Sequence, residues 1–382
     1  MLRHLYRCVR HRRLARRYTL PMSGVIPIID ARSQRSLAIP PLARALAGET
    51  LADTRGRQIR DLRISVTDRC NFRCTYCMPK EVFNSNYPYL PHHEVLTFEE
   101  ITRVARIAVG LGIKKIRLTG GEPLMRRGIE DLVGRLAAIE GIDLTLTTNG
   151  SALKAKAGQL KAAGLDRLTV SLDSLDDATF RAMNDVDYPV AKVLDAIDAA
   201  NAAGFEQVKI NMVVKRGIND QQIVDMARHF KGSTNIVRYI EFMDVGSTNG
   251  WRMDDVIASR DVVARINAVF PCAPANPNHV GEVAKRWRYQ DGTGEFGVIS
   301  SVTEAFCATC TRARLSTDGS IYTCLFAQQG YDIKSMLRGE ADDASIAAAL
   351  GGIWQHRRDN YSEVRTAETA KQRKVEMSFI GG

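Results

Sequence analysis

From Arg60 to Phe242, short apolar runs alternate with longer stretches in which apolar residues recur at helical spacing. The runs Asp61–Val66, Lys115–Leu118, Asp143–Thr147, Arg167–Leu172, Gln207–Val214 and Asn235–Phe242 read as strands. Between them Phe98–Leu111, Ile129–Ile139, Ala152–Ala163, Val190–Ala203 and Gln221–His229 carry a helix period, and Gly112, Gly164 and Gly204 suit helix ends. Repeated β–α alternation predicts an α/β fold, a parallel sheet covered by helices. Six strands are too few to close an eight-stranded barrel, so an open, TIM-like partial (β/α)6 barrel is expected.

The strands run into polar and glycine-rich residues: Thr67-Asp68-Arg69-Cys70, Thr119-Gly120-Gly121-Glu122-Pro123, Thr148-Asn149-Gly150 and Ser171-Leu172-Asp173-Ser174. The fifth strand holds Lys209 and Asn211, and the sixth ends Glu241-Phe242-Met243. In β/α folds the carboxyl ends of the strands share one rim, where sites assemble. After Gly246 the pattern decays into loops with proline and glycine. A strand pair, Arg312–Ser316 and Ser320–Cys324, is then predicted around Asp318-Gly319. Arg338 to Lys374 reads as polar and partly helical, and the residues after it return to apolar and glycine-rich.

Composition narrows the class. The 382 residues allow one large core and a smaller second unit. No uninterrupted apolar stretch is long enough to cross a bilayer as a helix, so no membrane partner is expected. The formal charge of +10 suggests nucleic acid until it is located: Met1–Pro21 hold seven arginines and no acidic residue, and taking these away leaves +3. No nucleic-acid partner is therefore expected. The tail lacks the apolar core of a secretory signal and reads either as a mitochondrial transit segment or as a stretch upstream of a start at Met22. The expected location is the cytoplasm, or the mitochondrial matrix if the tail is a transit peptide. Six of the eight cysteines form two tight groups, which favours metal ligation in a reducing compartment over a disulfide scaffold.

The first group is Cys70, Cys74 and Cys77 in DRCNFRCTYCMP. Three soft thiolates suit an iron–sulfur cluster and leave the fourth iron of a [4Fe–4S] unit open to a small molecule. The alternative, a zinc knuckle, wants a fourth ligand nearby. Gly120 and Gly121 permit close backbone approach, and Glu122 is a candidate acceptor for an ammonium, although GGEP alone also suits a tight β–α turn. The second group is Cys307, Cys310 and Cys324, again three thiolates with one position unfilled. Cys272 is a candidate fourth ligand or, beside a proline, a buried small residue. Strand alternation puts Arg312 and Arg314 on one face beside Cys310, suited to a polyanion or to a solvated face.

The cysteine run and GGEP resemble the radical SAM enzymes, whose open iron chelates the amine and carboxylate of S-adenosylmethionine (SAM). RDLRISVTDRCNFRCTYCMP, KKIRLTGGEPLMRR, the C-x2-C-x-R-x-R-x13-C run and the terminal Gly-Gly together resemble the GTP 3′,8-cyclases of molybdenum cofactor biosynthesis, from Arg57 to Gly382, about 85% of the chain. The resemblance implies two [4Fe–4S] clusters and SAM as cofactors, and a smaller C-terminal α+β extension carrying the second cluster. It implies SAM contacts at Tyr76, Gly120, Gly121, Glu122, Ser171 and Met243, although Met243 equally suits a core. It implies GTP contacts at Arg63, Lys115, Arg117, Thr148, Lys209, Arg238, Arg312 and Arg314, with Gly381 and Gly382 entering the active site to assist catalysis. In the implied reaction a 5′-deoxyadenosyl radical removes the C3′ hydrogen of GTP, and C3′ bonds to guanine C8. Implied partners are cyclic pyranopterin monophosphate synthase, which takes the product, an electron donor such as flavodoxin or ferredoxin, and a second copy in a homodimer. The expected organisation is 1–56 as a largely disordered or partly artefactual extension, 57–246 as the barrel and 247–382 as the auxiliary-cluster and GTP region. Rivals are a radical SAM peptide maturase, which has no reason for the arginine pair, and a metal-stabilised RNA-binding module, which the rim motifs disfavour.

Overall fold

Along β1 (Asp61–Ser65) Leu62 and Ile64 are buried against helices while Arg63 faces the other way, into a cavity. The same alternation runs through β2 (Lys115–Thr119), β3 (Asp143–Thr148), β4 (Arg167–Ser171), β5 (Lys209–Val214) and β6 (Ile236–Glu241). Apolar residues on the outer face pack against helices, and mostly polar residues line the inner face, with Val213, Ile236 and Ile240 among them. The computed structural model describes residues 36–44 and 51–382, so the arginine-rich tail lies outside the described residues.

The covering helices are α1 (Phe98–Gly110), α2 (Ile129–Ala137), α3 (Leu153–Ala162), α4 (Asp177–Asn184), α5 (Val190–Ala202) and α6 (Ile223–Phe230). Thr97 and Glu100 form a capping box that starts α1, as the T-x-x-E spacing requires. The predicted strands and helices lie within a few residues of the observed ones. Helix α4 went unforeseen, because its short DATFRAMN run sits among aspartates that read as loop.

The sheet has twelve strands in the order β12-β11-β10-β1-β2-β3-β4-β5-β6-β9-β8-β7. Its later strands are β7 (Cys272–Ala275), β8 (Lys285–Tyr289), β9 (Glu295–Ile299), β10 (Arg312–Leu315), β11 (Ser320–Tyr322) and β12 (Tyr331–Asp332), with α7 (Ser259–Asn267) ahead of them. Residues after 246 are therefore more regular than expected. Strand β10 extends the barrel beside β1 and β9 extends it beside β6, both in parallel. The sheet is open, consistent with a partial barrel. The loop between β7 and β8 reaches the segment ahead of β10: a Cβ on Gly281 would lie 2.8 Å from Thr309 O.

Helices α8 (Lys334–Arg338), α9 (Asp343–Gln355), α10 (Ala367–Ala370) and α11 (Met377–Ile380) complete the chain. Far from being polar, α9 buries Ile346, Leu350, Ile353 and Trp354. The described residues of the 1–56 extension touch the rest of the chain at a few points. Ala43 N donates to Gln355 Oε1 of α9 at 2.7 Å, and a side chain at Gly352 would collide with Pro40. Leu51 and Asp53 are buried, the latter paired with Arg57.

Candidate active site

The first cysteine trio sits in the loop after β1, and the loop is fastened to α4. Arg73 N donates to Asn184 O and Thr75 N to Met183 O, at 2.9 and 3.1 Å. Phe72 packs on Phe180 and Tyr188, while the Arg73 guanidinium binds the carbonyls of Cys70, Phe72 and Phe83. Cys70, Cys74 and Cys77 are free thiols on the cavity wall. Tyr76 OH donates to Asp173 Oδ2 at 2.7 Å, and Asp173 Oδ1 accepts from Val213 N at 2.9 Å. The tyrosine ring is thus fixed at the cavity edge by a carboxylate that burial pushes up to about 6.

The GGEP glycines answer to backbone crowding. Gly120 has φ +142°, and a Cβ there or on Gly121 would overlap the carbonyl oxygens of Thr67 and Arg69. Those carbonyls accept from Gly121 N and Glu122 N at 2.8 Å each, which zips the loop after β2 to the cysteine loop. Glu122 accepts from Thr148 Oγ1, Asn149 N and Leu124 N at 2.8, 2.7 and 3.0 Å. Burial outweighs these donors and raises it to about 7. Thr148 is thus occupied with Glu122 and with Gly150 N, although it still borders the cavity. Ser171 and Met243 border it as well.

The second trio faces the same space. Cys307 and Cys310 flank a single helical turn ahead of β10, Cys324 follows β11, and all three are free. Arg312 Nε and Nη2 lie 3.3 and 3.1 Å from Cys310 Sγ, and Arg357 Nη2 lies 3.2 Å from the same sulfur. Burial alone would raise this thiol, but the two guanidiniums outweigh it and bring it to about 6. Cys272 lies in β7, buried and away from the cavity lining, its thiol 3.5 Å from Asn267 Oδ1.

Between the trios the inner face carries a stack of cations. Register sets Arg63 beside Arg314 and Arg117, and Asn211 beside Arg238. These positions lie along the strands, deeper than the carboxyl rim that the sequence points to. Arg117 Nη1 donates to Thr147 and Thr169 hydroxyls, and Arg238 to Asn211 Oδ1 and Thr169 Oγ1. Among the described residues, the buried Nε atoms of Arg63 and Arg117 have no partner. Burial, then neighbouring cations, lowers Lys115 to about 7 and Lys209 to about 6, and holds Arg63 well below its usual value. So many desolvated like charges call for a multivalent anion.

Arg314 borders the cavity and also donates to Gly381 O, and Gly382 lines the cavity. Gly381 is buried just behind that wall. Every other predicted site residue borders one cavity of about 980 Å³, ample for two small molecules. Residues that sequence reasoning missed are Asp173, Asn149, Arg167, Arg357 and Glu376. Asp173 and Asn149 stand at strand ends already singled out, whereas HRRDN around Arg357 and VEM around Glu376 carry no local signal.

Each trio offers three soft thiolates, a donor set that fits an iron–sulfur cluster.

Comparison with known proteins agrees with this geometry. The Radical SAM superfamily model matches residues 64–230, and the Molybdenum Cofactor Synthesis C model matches 235–363. The chain is 48% identical over 360 residues to the GTP 3′,8-cyclase of Acidothermus cellulolyticus, covering 87% of this chain and 99% of that protein. It is 49% identical over 339 residues to that of Staphylococcus epidermidis, with the same coverage. Streptococcus suis SuiB bound to S-adenosylmethionine shares the fold, with a TM-score of 0.57 at 15% identity over 84% of this chain and 73% of SuiB.

Proposed function

This chain belongs to the GTP 3′,8-cyclase family, within the radical SAM superfamily, and we propose that it performs that cyclisation with two [4Fe–4S] clusters, one on each cysteine trio. The observation that carries the reading is the shared cavity, with Cys70, Cys74 and Cys77, then Cys307, Cys310 and Cys324, and the basic residues between them on its wall. Bound at the first trio, a cluster and SAM would supply a carbon radical able to take the ribose C3′ hydrogen of GTP; the adduct formed when C3′ joins C8 then needs one electron from the reductant and one proton to become 3′,8-cyclo-7,8-dihydro-GTP.

The chain's own residues supply position and enclosure. Tyr76, held by Asp173, offers a fixed ring face for adenine. Glu122 holds the loops after β2 and β3 together, and Ser171 and Met243 complete that end. Arg63, Lys115, Arg117, Lys209 and Arg238 neutralise the triphosphate, and charge-assisted bonds to its oxygens would satisfy the orphaned guanidinium nitrogens. Arg312 stands between the second trio and this basic wall. Gly382 closes the wall, with Gly381 behind it held by Arg314. A small electron-transfer protein as reductant, cyclic pyranopterin monophosphate synthase as the consumer of product, and a cytoplasmic location belong to the same proposal.

Anaerobic incubation of reconstituted protein with SAM, dithionite and GTP tests it. The expected results are 5′-deoxyadenosine formation that depends on GTP, a cyclised guanine product, and about eight irons per chain. SAM cleavage indifferent to GTP, or zinc without iron, overturns it.

A further inference from the structure

The two trios sit in unlike electrostatic settings. The donors recorded on Cys70 are neutral: Phe72 N at 3.4 Å and Asn149 Nδ2 at 3.8 Å. Cys310 instead receives three N–H groups from two guanidiniums, those of Arg312 and Arg357. Arg357 is built into place. Its side chain is 1% exposed. Its guanidinium lies 4.6 Å from the Trp354 ring centre, and its Nη1 donates to Cys310 O at 2.7 Å. Asp359 accepts from its Nε and Nη2 at 3.0–3.1 Å. Arg57 binds Cys307 O and Asp359 O, and Trp354 Nε1 donates to Arg57 O. Two buried arginines, joined through the half-buried Asp359, thus back the Cys307–Cys310 turn.

We propose that Arg357 is a positioning residue that sets the redox poise of the second cluster by raising its reduction potential. The inference rests on the reading that the second trio holds a cluster. An added electron resides partly on the ligand sulfurs, so charge-assisted N–H donors there stabilise the reduced form. Asp359 offsets part of the Arg357 charge, but the N–H still points at sulfur and Arg312 adds two more. The consequence is a second cluster that is easier to reduce than it would be without these donors.

The test uses the full-length chain with Cys70, Cys74 and Cys77 changed to serine, so that only the second cluster reports. About four irons per chain in this background support the underlying reading; none overturns that reading and the inference with it. With iron present, potentiometric titration followed by electron paramagnetic resonance reads the midpoint. Arg357→Lys keeps a charge but loses the fork, and should shift the reduction equilibrium about tenfold toward oxidised, about 59 mV for one electron. Asp359→Asn removes the offsetting charge and should move the midpoint upward. Arg103→Lys, at a surface ion pair with Asp343, should leave it in place. Unchanged midpoints in both site variants overturn the inference. If Arg357→Lys loses its iron, the Asp359→Asn direction decides, upward in support and unchanged or downward against.

Discussion

Arg314 Nη1 donates to the carbonyl oxygen of Gly381, so a β10 side chain that borders the cavity also holds the Gly-Gly segment. Gly381 has φ +79°, and a Cβ there would lie 2.5 Å from Thr119 Cγ2. The position therefore tolerates only glycine on both backbone and steric grounds. Gly381→Ala should lower turnover about tenfold or more while iron content and melting temperature stay near wild type. The check is product formation beside iron analysis and thermal unfolding; full activity would show that the segment's placement is immaterial.

Glu376 fastens the same segment from its other end. Its carboxylate accepts from Ser247 N and Thr248 Oγ1 at 3.0 and 3.2 Å, and a Cβ on Gly246 would overlap it. Burial lifts it to about 7, above the ordinary 4.5, while nearby Arg373 and Lys374 pull it down. The folded protein keeps this proton where the unfolded chain has lost it. Stability from the group is thus full below about pH 4.5 and lost as pH rises through 7. Glu376→Gln should flatten the fall in melting temperature between about pH 5 and pH 8. Parallel curves for the two proteins would refute this.

The barrel strands were legible because period-two alternation with apolar partners such as Leu62 and Ile64 is local. Helix α4 was not, since only its packing under Phe72 and Tyr188 singles it out from the surrounding aspartates. Helix α9 was read as polar because its glycines and alanines carry little hydropathy, yet Gly352 is what lets Pro40 lie against it. The two cysteine trios announce themselves by spacing. The pairs Tyr76–Asp173, Arg357–Cys310 and Glu376–Gly246 join residues about 50 to 130 positions apart, and alternation says which face a residue occupies without naming its neighbour.

Gly121 gives a sharper test of the loop zipper than of ligand contact. A methyl group there would overlap Arg69 O and part the pair of 2.8 Å backbone bonds that hold the cysteine loop to β2. Gly121→Ala should therefore lose first-trio iron, about half the total, and retain the rest. Iron and sulfide analysis after reconstitution reads this directly. Full iron with weakened SAM binding alone would mean that the glycine serves the ligand and not the loop.

Lys115 and Lys209, brought to about 7 and about 6, make triphosphate binding a proton-linked event. At pH 8 both are largely neutral in the free protein, since burial and the facing cations Arg117, Arg167 and Arg238 disfavour their charge. A polyanion laid along the wall reverses that balance and raises both, so binding takes up protons from solvent. Affinity should then fall as pH rises above about 7, with uptake approaching about two protons per GTP near pH 8. Calorimetry of GTP binding in two buffers of different ionisation enthalpy measures the number directly. Lys209→Met should reduce uptake by about one proton while weakening binding. Heats identical in the two buffers would mean that the lysines keep their protonation state on binding, and that the triphosphate is held by the arginines alone.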